Sequence, residues 1–228
     1  MPRSKKLVVT IDGPAGTGKS TVARLLARRL GLPWLDTGAT YRCVALAALR
    51  QGVDPHDLEA LAGVAGRVDV AFTPGDKRSG QRVTLDGEDV TEAVRTPEVT
   101  EATSFVADAP GVRAAMRALQ QRLAERAGAV AEGRDMGTVV FPEADVKFFL
   151  DASPAERAGR RFKELLSRGI DVALDEVLGQ IKRLDERDKS RPDGALRPAA
   201  GAVIVDTTDM SLDEVVETLG RAVDEKLG

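Results

Sequence analysis

The run Gly13-Pro14-Ala15-Gly16-Thr17-Gly18-Lys19-Ser20 constrains this chain more than any other stretch. It satisfies G-x-x-x-x-G-K-[ST] and stands where that pattern carries meaning, after the β-branched apolar run Leu7 to Ile11 and before the helically periodic segment Thr21 to Leu30. Strand, glycine loop and helix in that order bring several backbone N–H groups together at a helix N-terminus, whose dipole favours negative charge. The loop therefore predicts a site for the phosphates of a nucleoside triphosphate, formed by residues 13 to 20 together with Thr21. Lys19 supplies a point charge between the β- and γ-phosphates, and the Ser20 hydroxyl is placed to ligate Mg²⁺.

Four more short apolar runs end in an acid, at Pro33–Asp36, Ala129–Glu132, Val146–Asp151 and Ala202–Asp206. Helical segments separate them, which is the pattern of a parallel sheet in a βαβ architecture. The chain reads as an α/β, three-layer phosphate-loop fold with a five-stranded parallel sheet. About ninety residues lie between the second and third runs, too many for a loop, so they must carry structure of their own. Helices are expected at Ala39–Gln51, Asp57–Gly66, Glu98–Ala107 and Val112–Arg126. A small antiparallel sheet is expected from Val68–Phe72, Gln81–Leu85 and Glu88–Val90, with turns at TPGDKRSG and Asp86-Gly87. A charged helical insertion runs from Pro154 to about Pro198, and a last helix, Leu212–Leu227, opens on a capping box at Ser211–Glu214. The expected organisation is a core of residues 1–38, 129–153 and 199–228, an inserted region at 39–128 and a mobile lid at 154–198.

Composition narrows the function. A net charge of -3 gives no global pull toward nucleic acid or an anionic membrane, so any phosphate chemistry rests on local basic clusters. One Cys and one His exclude an intrachain disulfide and a structural zinc site, and fit a reducing cytoplasm. No run is long and apolar enough to span a membrane, and no heptad or apolar surface stripe argues against a monomer. The complete absence of Asn removes the guanine-selecting N-K-x-D motif, which argues against a GTPase switch. A kinase or an ATPase coupled to motion remains.

Phosphoryl transfer depends on positioning and charge neutralisation, so an acceptor site needs arginines facing the glycine loop. Asp36-Thr37-Gly38-Ala39-Thr40-Tyr41-Arg42 follows the second strand, which puts Tyr41 and Arg42 on the first turns of a helix at the carboxyl edge of the sheet. Glu132-Gly133-Arg134-Asp135-Met136-Gly137-Thr138 leaves the third strand at that edge, offering a cation for a phosphate and an acid for the donors of a base or sugar. Arg157, Arg160, Arg161, Arg168, Lys182, Arg183, Arg187, Lys189 and Arg191 crowd the second insertion. Individually they suit a solvated, salt-bridged helix pair; as a set they suit a lid that closes over triphosphate and excludes water.

Together IDGPAGTGKST, LDTGATYR, EGRDMGTVVFP, DASPAERAGRRFKEL, IKRLDERDKSR and VDTTDMS resemble the bacterial cytidylate kinases, a branch of the nucleoside monophosphate kinases, over nearly the whole chain. EGRDMGTVVFP is the most specific of these stretches. The resemblance implies transfer of the γ-phosphoryl group of ATP, with Mg²⁺, to CMP or dCMP. It implies that Lys19, Arg134, Arg157 and Arg161 stabilise the transferring group, that Thr37 and Asp188 approach the ribose, and that Tyr41, Arg42 and Arg134 face the acceptor monophosphate. Ser104, Arg113, Asp135 and Arg191 would read the cytosine edge, and Asp206-Thr207-Thr208 would lie on the adenine side. Two positions depart from the family: Leu184 replaces the usual Arg before Asp185, and Gly201 replaces an Asp. The alternatives are a kinase for another small acceptor such as UMP, and an ATP-dependent binding module acting on a macromolecule, for which the lack of a long basic run disfavours nucleic acid.

Overall fold

The computed structural model describes residues 6–75, 81–167 and 169–228. The tip of the expected TPGDKRSG turn and Arg168 lie outside the described residues. Cα packing divides the chain into two compact units, Met1–Trp34 with Ala127–Gly228, and Leu35–Arg126.

In the first unit β1 (Val8–Asp12) leads through the glycine loop to α1 (Lys19–Leu30) and on to β2 (Trp34–Asp36), within which the two units divide. The unit resumes with β6 (Ala129–Gly133), β7 (Val146–Asp151), α6 (Pro154–Ser167), α7 (Leu174–Ser190), β8 (Val203–Asp206) and α8 (Leu212–Leu227). The sheet has the order β2-β6-β1-β7-β8. Parallel pairing sets Asp12 beside Gly133 on one flank and Phe149 on the other, so the chain leaves β1 and β6 side by side at the same edge. Val9 and Ile11, two residues apart on β1, turn one face of the strand into the core, fully buried with Val22, Leu26, Val130, Phe148 and Leu150. Leu219 and Val223 of α8 complete this core, and the Ser211–Glu214 capping box forms reciprocally as the sequence predicts. A smaller apolar cluster, Ala158, Val177 and Ile181, joins α6 to α7 with Ala15 of the glycine loop against it.

The second unit has a core of its own. It contains α2 (Thr37–Arg50), α3 (Leu58–Ala65), the antiparallel strands β3 (Val70–Pro74), β4 (Gln81–Leu85) and β5 (Glu88–Asp89), α4 (Pro97–Val106) and α5 (Pro110–Ala127). Val44, Leu61, Val70, Val83, Leu85, Val99, Val112 and Met116 are buried together. Asp86 and Gly87 both take positive φ, 51° and 86°, as a two-residue hairpin of this kind requires, and β4 and β5 are joined there. Asp36 caps α2 by accepting from the Ala39 N–H at 3.0 Å. Among the described residues no helix is long and apolar enough to cross a membrane.

Candidate functional site

The phosphate loop of the first unit is shaped by contacts only glycine allows. Gly13 has φ +149°, and a Cβ there would stand 2.0 Å from the Leu150 carbonyl oxygen. α1 starts at Lys19 behind an N-cap, Gly18, that offers no side-chain acceptor, and its first turn holds no acid. The leading amide groups are thus left for an anion. Thr17 Oγ1 donates to the Pro14 carbonyl at 3.2 Å, and Lys19 Nζ donates to the same carbonyl at 2.6 Å and to Thr17 Oγ1 at 3.4 Å. Ser20, next on the helix, is exposed.

Lys19 is buried, 5% exposed, and its ammonium is pushed down to about 7, first by burial and then by the Arg134 guanidinium; Glu132, Asp12 and Asp188 pull the other way. Asp12 is pushed up to about 6, chiefly by burial, even though it accepts the Met136 and Gly137 N–H groups at 2.8 Å each. The loop therefore sits among ionisable groups whose proton affinities converge near neutrality, as at sites built for ionic ligands.

Beside it the segment leaving β6 carries Arg134 and Asp135. Arg134 Nε donates to Asp188 Oδ2 at 2.7 Å, and Arg191 Nη2 donates to Asp188 Oδ1 at 3.3 Å, so Asp188 of α7 gathers two of the expected acceptor-side arginines on one carboxylate. Arg157 is almost fully buried and its donors converge: Nε on the Ala152 carbonyl at 2.9 Å, Nη1 on the Ala15 carbonyl at 3.1 Å, and a bidentate pair with Asp185 at 2.9 and 2.6 Å. Arg161, by contrast, pairs at the surface with Glu164, at 2.7 Å. Arg160 binds Thr207 through its hydroxyl, at 3.0 Å, and its carbonyl, at 2.5 Å, and reaches the Thr17 carbonyl at 3.5 Å. It straps the glycine loop to the turn after β8.

The other expected residues belong to the second unit. Thr37 and Tyr41 are buried on α2 with Arg42 half-buried beside them; Ser104 lies on α4 and Arg113, buried, on α5. Gln120 Nε2 donates to Thr40 Oγ1 at 2.8 Å, tying α5 to α2. The sequence does not mark out Asp12 or Asp185 as site groups, and marks Arg160 only as one of a set of lid cations. Asp12 had one signal, an acid at the end of the strand that feeds the loop; the other two sit in a charged run where nothing distinguishes them from solvated neighbours.

A family model described as Cytidylate kinase matches residues 9–225. The chain belongs to the cytidylate kinase family. It is 49% identical over 214 residues to the cytidylate kinase of Pseudomonas aeruginosa (strain LESB58), covering 94% of this chain and 93% of that protein. With the cytidylate kinase of Vibrio vulnificus (strain CMCP6) it shares 48% identity over 225 residues, 98% of each. Among solved structures, an uncharacterized protein from Eubacterium ventriosum ATCC 27560 superposes with a TM-score of 0.51 at 13% identity, over 97% of this chain and 99% of that one, which is a likeness of fold alone. The two departures from the family pattern have local accounts. Asp185 keeps a partner in Arg157 although Leu184 precedes it. Gly201 takes φ +71°, a conformation glycine adopts without strain, in a turn closed by Ala202 N–H to the Ala199 carbonyl at 3.1 Å.

Proposed function

We propose that this chain transfers the γ-phosphoryl group of ATP to the 5′-phosphate of CMP and of dCMP. As a cytidylate kinase it is a phosphotransferase acting on CMP; use of dCMP, the metal and the residue roles are the finer reading. One observation carries it: parallel pairing of β1 with β6 sets the phosphate loop and the Arg134–Asp135 segment at the same strand ends, so a donor phosphate at Lys19 has a cation and an acid beside it.

In this reading the N–H groups of residues 13 to 20 and Lys19 hold the donor phosphates, while Arg134 neutralises charge on the transferring group. The attacking oxygen belongs to the acceptor phosphate, and no covalent enzyme intermediate is needed. Thr37 and Asp188 would meet the ribose, Tyr41 and Arg42 the acceptor phosphate. Cytosine presents an amino donor beside N3 and O2 acceptors, and Asp135 with Ser104, Arg113 and Arg191 is the complementary set. Arg161, held only by an exposed partner, is free to swing to the donor at little cost.

Mg²⁺ fits as a ligand of the exposed Ser20 hydroxyl, since no cluster of acids able to cage a cation exists among the described residues and Asp12 spends both oxygens on backbone amides. When bound, it would neutralise charge on the donor phosphates. The reading also keeps a cytoplasmic monomer; a single cysteine, Cys43, fits a reducing compartment.

A coupled ADP-release assay with ATP and Mg²⁺, run with CMP, dCMP, UMP, AMP, GMP and no acceptor, tests this. Turnover with CMP and dCMP alone is the expected result. Hydrolysis independent of acceptor, or equal turnover with AMP or GMP, would refute it.

A further inference from the structure

Asp12 is the least expected charge in the molecule. It closes β1, a strand otherwise buried in Val9 and Ile11, and its own side chain is 2% exposed. A buried carboxylate without partners is strongly disfavoured, so its bonds identify its purpose. Its two oxygens accept from two consecutive backbone amides, Oδ1 from Met136 N–H and Oδ2 from Gly137 N–H, at 2.8 Å each. These amides open the short π-helical turn Met136–Val140, which follows directly on Arg134 and Asp135. The first amide groups of such a turn have no partner within it.

The contact leaves little room for adjustment. A Cβ on Gly137 would come within 3.0 Å of Thr10 Oγ1, 3.1 Å of Ala199 Cβ and 3.4 Å of Asp12 Oδ2. The turn closes on itself through Phe141 N–H to the Met136 carbonyl at 2.6 Å. Arg134 is the residue whose other end is fixed by Asp188, and Asp135 lies close enough to Asp12 for the two carboxylates to repel.

We propose that Asp12 is a positioning residue for the acceptor side of the site: by clamping the Met136 and Gly137 amides it fixes the backbone from which Arg134 and Asp135 project. It need not touch a substrate. The inference rests on the reading above that Arg134 and Asp135 meet the acceptor nucleotide. Asp12 belongs by sequence to the strand that feeds the phosphate loop, so proximity alone would assign it to the ATP side. The clamp assigns it to the acceptor side.

The replacement Asp12→Asn separates these roles. An amide keeps the shape and one acceptor oxygen but turns an NH₂ group toward the second backbone N–H, which opens the clamp on one side. The KM for CMP should rise about 10-fold or more while the KM for ATP changes by less than about 3-fold, because misplacement of a positioned group falls on the ligand it orients. A rise in both KM values together, or in neither, would overturn the proposal.

Two controls keep the outcome readable. Arg134→Ala and Asp135→Asn, assayed in parallel, report on the acceptor assignment itself. If they leave CMP kinetics intact, that reading fails; if they impair CMP use and Asp12→Asn does not, only the clamp fails. Should Asp12→Asn fold poorly, the unaltered protein supplies the test by NMR. The Met136 and Gly137 amide protons should shift together as acidification protonates Asp12, whose proton affinity burial raises, with Lys19 and Asp135 the charged groups that face the carboxylate. Amide shifts that do not follow the titration of the Asp12 carboxyl carbon would overturn the clamp.

Discussion

Replacing Lys19 with Met should destroy phosphoryl transfer and, in the absence of nucleotide, stabilise the fold. The ammonium is buried beside Arg134 and its proton affinity is pushed down from 10.5 to about 7. Each unit corresponds to about 1.4 kcal/mol, so holding the charged form inside costs at most on the order of 4–5 kcal/mol. Against this, Lys19 donates to the Pro14 carbonyl at 2.6 Å, and leaving that carbonyl short of a partner costs about 1–3 kcal/mol. The net expected gain for Lys19→Met is about 2 kcal/mol, or a rise in Tm of about 4–8 °C for a chain of this size. The sign with pH follows from the same shift. Because the folded amine binds its proton less tightly than the unfolded one, the unfolded state holds more protons between pH 7 and 10.5, and the stability of the unaltered protein climbs through that window. The gap between variant and parent should therefore be widest below pH 7 and shrink by about 1.4 kcal/mol per pH unit above it. Differential scanning calorimetry at pH 6.5, 7.5 and 9, without nucleotide, measures this. Saturating ATP should reverse the order, since only the parent offers its phosphates an ammonium. A Tm for Lys19→Met equal to or below that of the parent at pH 6.5 would refute the argument that burial strains this charge.

The two lid arginines should behave oppositely on truncation. Arg157→Ala leaves Asp185 stranded at low exposure and removes a donor to the Ala15 carbonyl, so a loss of about 3 kcal/mol and about 6–12 °C in Tm is expected by calorimetry. Arg161→Ala, breaking only an exposed pair with Glu164, should leave Tm within about 2 °C while lowering kcat in the ADP-release assay; a kcat at the parental level would remove Arg161 from the donor side. Cys43, fully buried with its thiol pushed up to about 12 by burial and then by Asp36 and Asp86, should react with iodoacetamide at pH 8 about 10³-fold more slowly in the folded chain than in urea. Fast labelling of the folded protein would show that the Leu35–Arg126 unit opens far more readily than its core implies.

The parts of this molecule that could be read from its sequence are those in which one local rule determines the outcome. The apolar runs feeding the sheet, the glycine loop and the Ser211–Glu214 cap were legible because strand patterning, tight-turn chemistry and capping all act within a few residues. The hairpin at Asp86-Gly87 was legible for the same reason. Boundaries moved where packing decides: α2 begins at Thr37 rather than Ala39 because Asp36 caps it, and β5 ends at Asp89, one residue early, where Thr91 turns back to bond the Asp89 carboxylate at 2.7 Å. The π-helical turn at Met136–Val140 had no sequence signal, since what holds it is a carboxylate more than a hundred residues earlier in the chain.

Charge pairing explains why the site was legible as a list of residues and not as a set of roles. Residue type and spacing alone do not separate the arginines of the lid run from one another or from Arg134, yet the fold divides them by what they bind. Arg157 and Arg160 direct their donors to backbone carbonyls of the phosphate loop, at Ala15 and Thr17, while Arg134 and Arg191 share Asp188. Breaking a buried pair costs several kcal/mol and breaking an exposed one costs less than about 1 kcal/mol, so Arg157, paired with Asp185, is built to keep the loop in shape, while a cation held only at the surface is free to follow a ligand. The acids therefore do as much as the arginines to define this site. Asp185 fixes one cation in place, Asp188 holds two where phosphate oxygens could compete for them, and Asp12 orders the backbone between them and the loop.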